Sequence, residues 1–196
     1  MDVAVTEDNV LVISHDPHLQ DGALIRSLPL AALDLPTLDA VLDLAPGTPI
    51  QFNIEIKSFP DHPEYAPPPA VFSQLLLDAI RRHRLESRVI VQSFDFRILI
   101  EMRKLAPEIR LAALWEGRPR SFVEIAREAE AEIVAPEYHL VTESEVLAAH
   151  AAGLQVIPWT ANHPSDWDPL IAASVDAIIT DDPAALLQYL HRLGLH

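Results

Sequence analysis

The chain has no cysteine, which excludes a disulfide framework, a thiolate zinc site and a cysteine nucleophile. Basic residues are few: 14 Lys and Arg stand against 29 Asp and Glu, for a formal net charge of −15. That balance argues against a nucleic-acid surface or an anionic-membrane surface, because both need clustered positive charge. So acidic a protein can still bind phosphate, through a metal or one local basic group. Glycine is scarce too, five residues in 196, and none forms the Gly-rich first βα turn of a nucleotide-type fold. No apolar run exceeds strand length, so no integral membrane segment is expected. The opening MDVAVTEDN lacks the basic-then-apolar order of a signal peptide, and the corresponding expectation is a cytoplasmic protein.

What is present is enough to build a core: 49% of residues are hydrophobic, consistent with one domain over residues 1–196. Val3 and Val5, then Glu7-Asp8-Asn9, then Val10 and Val12 give apolar/polar alternation on both sides of a polar turn, a hairpin signal. LPTLDAVLDLA reads as a helix with Thr37 positioned to cap it. From residue 50 onward, strand-like and helix-like segments alternate: IQFNIEIK, AVFSQLLLDAIRRHRL, RVIVQSF, FRILIEMRKLA, IRLAALW, SFVEIAREAEA, EIVAP, TESEVLAAHAAG, LQVIPWT, PSDWDPLIAAS, VDAIIT and PAALLQYLHRL. That is six βα units, and such alternation means an α/β fold. Several strands end in polar or aromatic groups, which in a (β/α)₈ barrel converge on the face that carries the active site.

The NIEIK strand carries the densest chemistry. Residues two apart share a strand face, so Asn53, Glu55 and Lys57 point one way and Ile54 and Ile56 the other. Taken alone the acid and amine could form a structural salt bridge. Glu55 could also ligate a metal while Lys57 steadies an anion, or Lys57 could act as a Schiff-base nucleophile. His15 ends a strand and is followed by Asp16 and Pro17, a placement suited to proton transfer near neutral pH; His139 is a weaker candidate at another strand end. Trp159 ends a later strand, where an aromatic ring can wall a small polar ligand or simply pack. Asp182 before Pro183 reads as a helix cap.

VAVTEDNVLVISHD, PTLDAVL, NIEIK, VIVQSFD, GLQVIPWTAN and VDAIITDDP, in that order, resemble the glycerophosphodiester phosphodiesterase family. The resemblance implies a TIM-like (β/α)₈ barrel that hydrolyses glycerophosphodiesters to sn-glycerol 3-phosphate and an alcohol. It also implies a bound divalent metal, Mg²⁺ or Ca²⁺. Carried over residue by residue, the histidine of the family's H-D motif is His15, the aspartate of its E-x-D motif is Asp2, and its E-I-K-type pair is Glu55 and Lys57. Asp2 and Glu55 are then metal ligands, while Lys57 and Trp159 contact substrate.

The match also has gaps. The family's H-R-G histidine and the Glu of the E-x-D motif have no counterpart, so the barrel is expected to lack strand 1, helix 1 and most of strand 2, with six complete βα units present. Two readings of this shortfall are open: a coding start set too far downstream, or a non-catalytic barrel remnant acting as a binding module. Exposed sheet edges would favour self-association.

Overall fold

The computed structural model describes residues 1–195. The chain divides into two compact units, Met1–Leu111 and Ala112–His196.

In the first unit, β1 (Asp2–Val5) and β2 (Leu11–Ile13) form the expected antiparallel hairpin, with Val3 opposite Ile13 and Val5 opposite Leu11. Thr6 closes the turn: its amide donates to Val10 O at 3.0 Å, and its hydroxyl accepts from the Val10 amide at 2.9 Å. Asn9 takes the left-handed conformation the turn needs (φ 61°), which Asn tolerates better than most residues. The Arg26 guanidinium donates to the carbonyls of Thr6 and Glu7 and ties the turn to the following segment. The outer edge of β2 is covered, since the Ile13 amide donates to Pro36 O at 2.9 Å.

The helix predicted after Pro36 is one short segment, α1 (Leu38–Leu42), with the Thr37 hydroxyl accepting from the Ala40 amide at 3.2 Å. Next come β3 (Phe52–Ile56), α2 (Pro69–His83), β4 (Val89–Ser93) and α3 (Phe96–Leu105). Phe72, Leu76 and Ile80 recur every four residues on α2 and are fully buried, the stripe that helical periodicity demands. Arg81, Arg82 and His83 sit in its last turn, where they complement the helix dipole. The strand order here is β2-β1-β3-β4, with β1, β3 and β4 mutually parallel.

β5 (Arg110–Trp115) starts in the first unit and runs into the second, which also holds α4 (Phe122–Ala129), β6 (Ile133–Pro136), α5 (Glu143–Ala151), β7 (Gln155–Val156), α6 (Pro164–Ala172) and α7 (Pro183–Arg192). β5, β6 and β7 are parallel neighbours. Trp167, Leu170 and Leu186 form a core on which Tyr189 and Ile178 pack. Asp182 caps α7 as expected, accepting from the Ala185 amide at 2.9 Å.

One expected element differs. Residues 175–180, VDAIIT, are not a ladder strand. They bond the β7 segment at three points: Asp176 N to Val156 O, Ile179 N to Pro158 O, and Ala161 N to Ile179 O, each 2.9–3.0 Å. The intervening Pro158 has no N–H to give, so the ladder is interrupted there. On its other side β7 is held to two residues by Pro136 of β6, which has no N–H to continue the ladder; pairing resumes where Trp159 N donates to Pro136 O at 3.0 Å and Tyr138 N to Trp159 O at 2.9 Å.

Candidate active site

The parallel register builds the site. Asp2 is the Cα partner of Glu55. The Glu55 amide donates to Met1 O at 2.8 Å and the Lys57 amide to Val3 O at 3.2 Å, so β1 is bonded on both sides of Asp2. Ile54 and Ile56 are fully buried in the core, which turns Glu55 and Lys57 to the other face. There the Lys57 Nζ lies 2.7 Å from Glu55 Oε1, with both side chains nearly closed off from solvent (12% and 9% exposed).

Burial pushes the Glu55 carboxyl above its ordinary value; Lys57 pulls it down, and the adjacent Asp2 carboxylate pushes it up again. Two carboxylates with one ammonium between adjacent strands form an acidic oxygen donor pair. Hard oxygen donors suit Mg²⁺ or Ca²⁺, and Mg²⁺ is commonly held by only one or two carboxylates plus phosphate and water. Among the described residues no group of three or more His, Asp or Glu side chains is arranged around a metal position. A cation at this position would have the Asp2 and Glu55 carboxylates as its protein donors, with phosphate and water completing its shell.

One layer below, the Asn53 side-chain amide donates to Gln92 Oε1 at 2.9 Å, and Gln92 is the Cα partner of Glu55 on β4. Asn53 Oδ1 is buried and has no hydrogen-bond partner. It is an unmatched acceptor just beneath the carboxylates.

His15 lies on the loop after β2. Its Nδ1 is 2.8 Å from Asp16 Oδ1, and both side chains are largely exposed. The Ser14 amide donates to Asp2 O at 3.1 Å and the Ser14 hydroxyl to Asp16 O at 2.8 Å, so this loop is tied to the strand that carries Asp2. Trp159 belongs to the second unit. Its indole N–H donates to Ala135 O at 2.7 Å, and its backbone pairs in parallel with Glu137; these bonds fix the ring by contacts within that unit. His139 pairs with Glu137 at 2.8 Å and is exposed.

Sequence reasoning missed Asp95. It is a buried carboxylate (2% exposed) that caps α3 and holds Arg97 in a two-pronged ion pair at 2.8 and 2.9 Å. The signal was present, since an Asp immediately before an apolar-periodic run reads as an N-cap. Nothing in the string showed that it also accepts from the Ser58 hydroxyl at 2.7 Å.

Parallel strands joined by helices, with carboxylates, an amine and an imidazole gathered near strand ends, define an α/β enzyme of the TIM-barrel class. Solved structures share that fold. A glycerophosphodiester phosphodiesterase from Parabacteroides distasonis superposes with a TM-score of 0.85 at 27% identity, covering 98% of this chain and 83% of that one. A phosphodiesterase from Oleispira antarctica, solved with the product sn-glycerol-3-phosphate, gives a TM-score of 0.86 at 21% identity, over 97% of this chain and 83% of that one; at that identity it speaks for the fold alone. In sequence, a glycerophosphodiester phosphodiesterase from Caldanaerobacter subterraneus is 28% identical over 99% of this chain and 86% of its own length. Residues 1–185 match the glycerophosphoryl diester phosphodiesterase family, and the chain belongs to it.

Proposed function

We propose that this chain hydrolyses glycerophosphodiesters to sn-glycerol 3-phosphate and an alcohol, with a divalent cation, Mg²⁺ or Ca²⁺, held by Asp2 and Glu55. The observation that carries the reading is the Asp2–Glu55 pairing across β1 and β3 with Lys57 folded onto it. Family membership supplies the reaction class.

The chemistry follows from the charges. A phosphodiester is anionic and repels nucleophiles. A bound divalent cation offsets that charge and orients the ester. Lys57, partly neutralised by Glu55, offers a point charge to a phosphate oxygen. Hydrolysis forms a bond from a water oxygen to phosphorus and breaks the bond to the alcohol oxygen. One proton must leave the water and one must reach the departing alcohol. His15 carries one of these transfers at Nε2, because its Nδ1 is engaged by Asp16.

The test is release of glycerol 3-phosphate from glycerophosphocholine by the purified chain, with and without EDTA. Release that EDTA abolishes and Mg²⁺ or Ca²⁺ restores is the expected result. Release indifferent to EDTA overturns the metal assignment. No release alongside retained binding of glycerol 3-phosphate would make the chain a binding module.

A further inference from the structure

We propose that Asp95 and Ser58 are positioning residues for Lys57, joined in a closed hydrogen-bond ring that fixes the turn where Lys57 folds back onto Glu55. The Ser58 amide donates to Ile56 O at 3.1 Å, which places Lys57 at the centre of a tight three-residue turn. The same Ile56 carbonyl accepts from the Ser93 hydroxyl at 2.9 Å. Ser93 Oγ in turn accepts from the Asp95 amide at 3.2 Å, and Asp95 Oδ2 accepts from the Ser58 hydroxyl at 2.7 Å. The circuit runs Ile56–Ser58–Asp95–Ser93 and returns to Ile56. Ser93 and Asp95 are buried, so these bonds are shielded from competing water.

The ring is more than a helix cap. Capping α3 uses only Asp95 Oδ1, which accepts from the Arg97 amide at 3.1 Å. The second oxygen reaches across to the strand that carries the catalytic-type side chains. Arg97 braces both oxygens, through Nε to Oδ1 and through a terminal nitrogen to Oδ2, and a carboxylate held this way has little freedom to rotate. A lysine side chain has four rotatable carbons and loses its aim readily. Restraining its backbone on both sides, at Val3 O and through Ser58, limits where Nζ can go.

The inference rests on Lys57 having the phosphate-facing role proposed above, but its test does not need that role to be correct. The chain has only two lysines, Lys57 and Lys104. Lys104 is mostly exposed and serves as an internal reference for an amine-acylating reagent read out by peptide mass spectrometry. Ser58→Ala removes one hydroxyl and leaves the α3 cap intact; Ser58→Thr keeps the hydroxyl. The expected result is a rise of about threefold to tenfold in Lys57 labelling relative to Lys104 in Ser58→Ala, the scale of one lost hydrogen bond, with the original ratio retained in Ser58→Thr. For glycerophosphocholine, KM should rise in Ser58→Ala more than kcat falls. An unchanged labelling ratio in Ser58→Ala overturns the proposal. So does a parallel rise at both lysines, which marks general loosening of the fold. A shifted ratio in a chain that hydrolyses no glycerophosphodiester leaves the positioning intact and removes the substrate reading instead.

Discussion

Asp2 and Glu55 face each other across the parallel β1–β3 ladder, and Glu55 is at the same time partnered by Gln92 on β4. Strand register therefore decides that these two carboxylates meet, and a slip of one residue would send Glu55 into the core and Ile54 or Ile56 into its place. Replacing one member of the pair should weaken cation binding more than it disturbs the fold. Asp2→Asn is expected to reduce Mg²⁺ or Ca²⁺ affinity on the order of tenfold, given how strongly ligand charge sets affinity in such sites. Isothermal titration of the purified chain measures this, and equal affinity in the variant would remove Asp2 from the donor pair.

Lys57 and Glu55 form an ion pair with little solvent around it. Removing one partner leaves a buried charge without compensation. Lys57→Met should cost about 3–5 kcal/mol in denaturant unfolding at pH 7 and should depress activity at the same time. A stability change below about 1 kcal/mol would show that water reaches Glu55 freely.

His15 presents the opposite case. It is exposed, and its one side-chain partner, Asp16, is exposed too. His15→Ala should leave the melting temperature unchanged while lowering kcat by roughly 10²–10⁴-fold, the usual contribution of a general acid or base. Full activity in this variant would assign proton transfer to another group.

Asp95 sets an acid limit on stability. Burial would raise its pKa, but the hydrogen bonds from Arg97 and Ser58, together with the Arg97 charge, outweigh that and hold it below the ordinary Asp value of 3.8. A folded-state value below the unfolded one gives stability that is present above the unfolded pKa and lost as pH falls through the folded one. Asp95→Asn keeps a capping oxygen but removes the titration. Unfolding free energy followed from pH 6 downward should therefore fall less steeply in the variant, and parallel curves would count against the assignment.

Asp182 tests the distinction between structure and catalysis. Its carboxylate accepts from the Ala185 amide at the start of α7. Asp182→Ala should cost about 1 kcal/mol and leave kcat and KM where they were. A fall in kcat would move this residue into the site.

The sequence by itself determined the α/β class, the β1–β2 hairpin, the caps at Thr37 and Asp182 and the shared face of Glu55 and Lys57. Each follows from local rules: strand alternation has a period of two, helical stripes repeat every three to four residues, and capping residues act within one turn. It also held Asp2, His15 and Trp159 as candidates through their motifs. The extent of β7 and of residues 175–180 was less legible, because the ladders are broken by the N–H groups that Pro136 and Pro158 lack and by which neighbour is present to bond. Only the tertiary structure decided that Asp2 is opposite Glu55, that Lys57 Nζ closes onto that carboxylate, and that Asp95 reaches Ser58 from 37 residues away. Register and long-range hydrogen bonds join groups distant in the chain, and no local period of the sequence encodes which of them will meet.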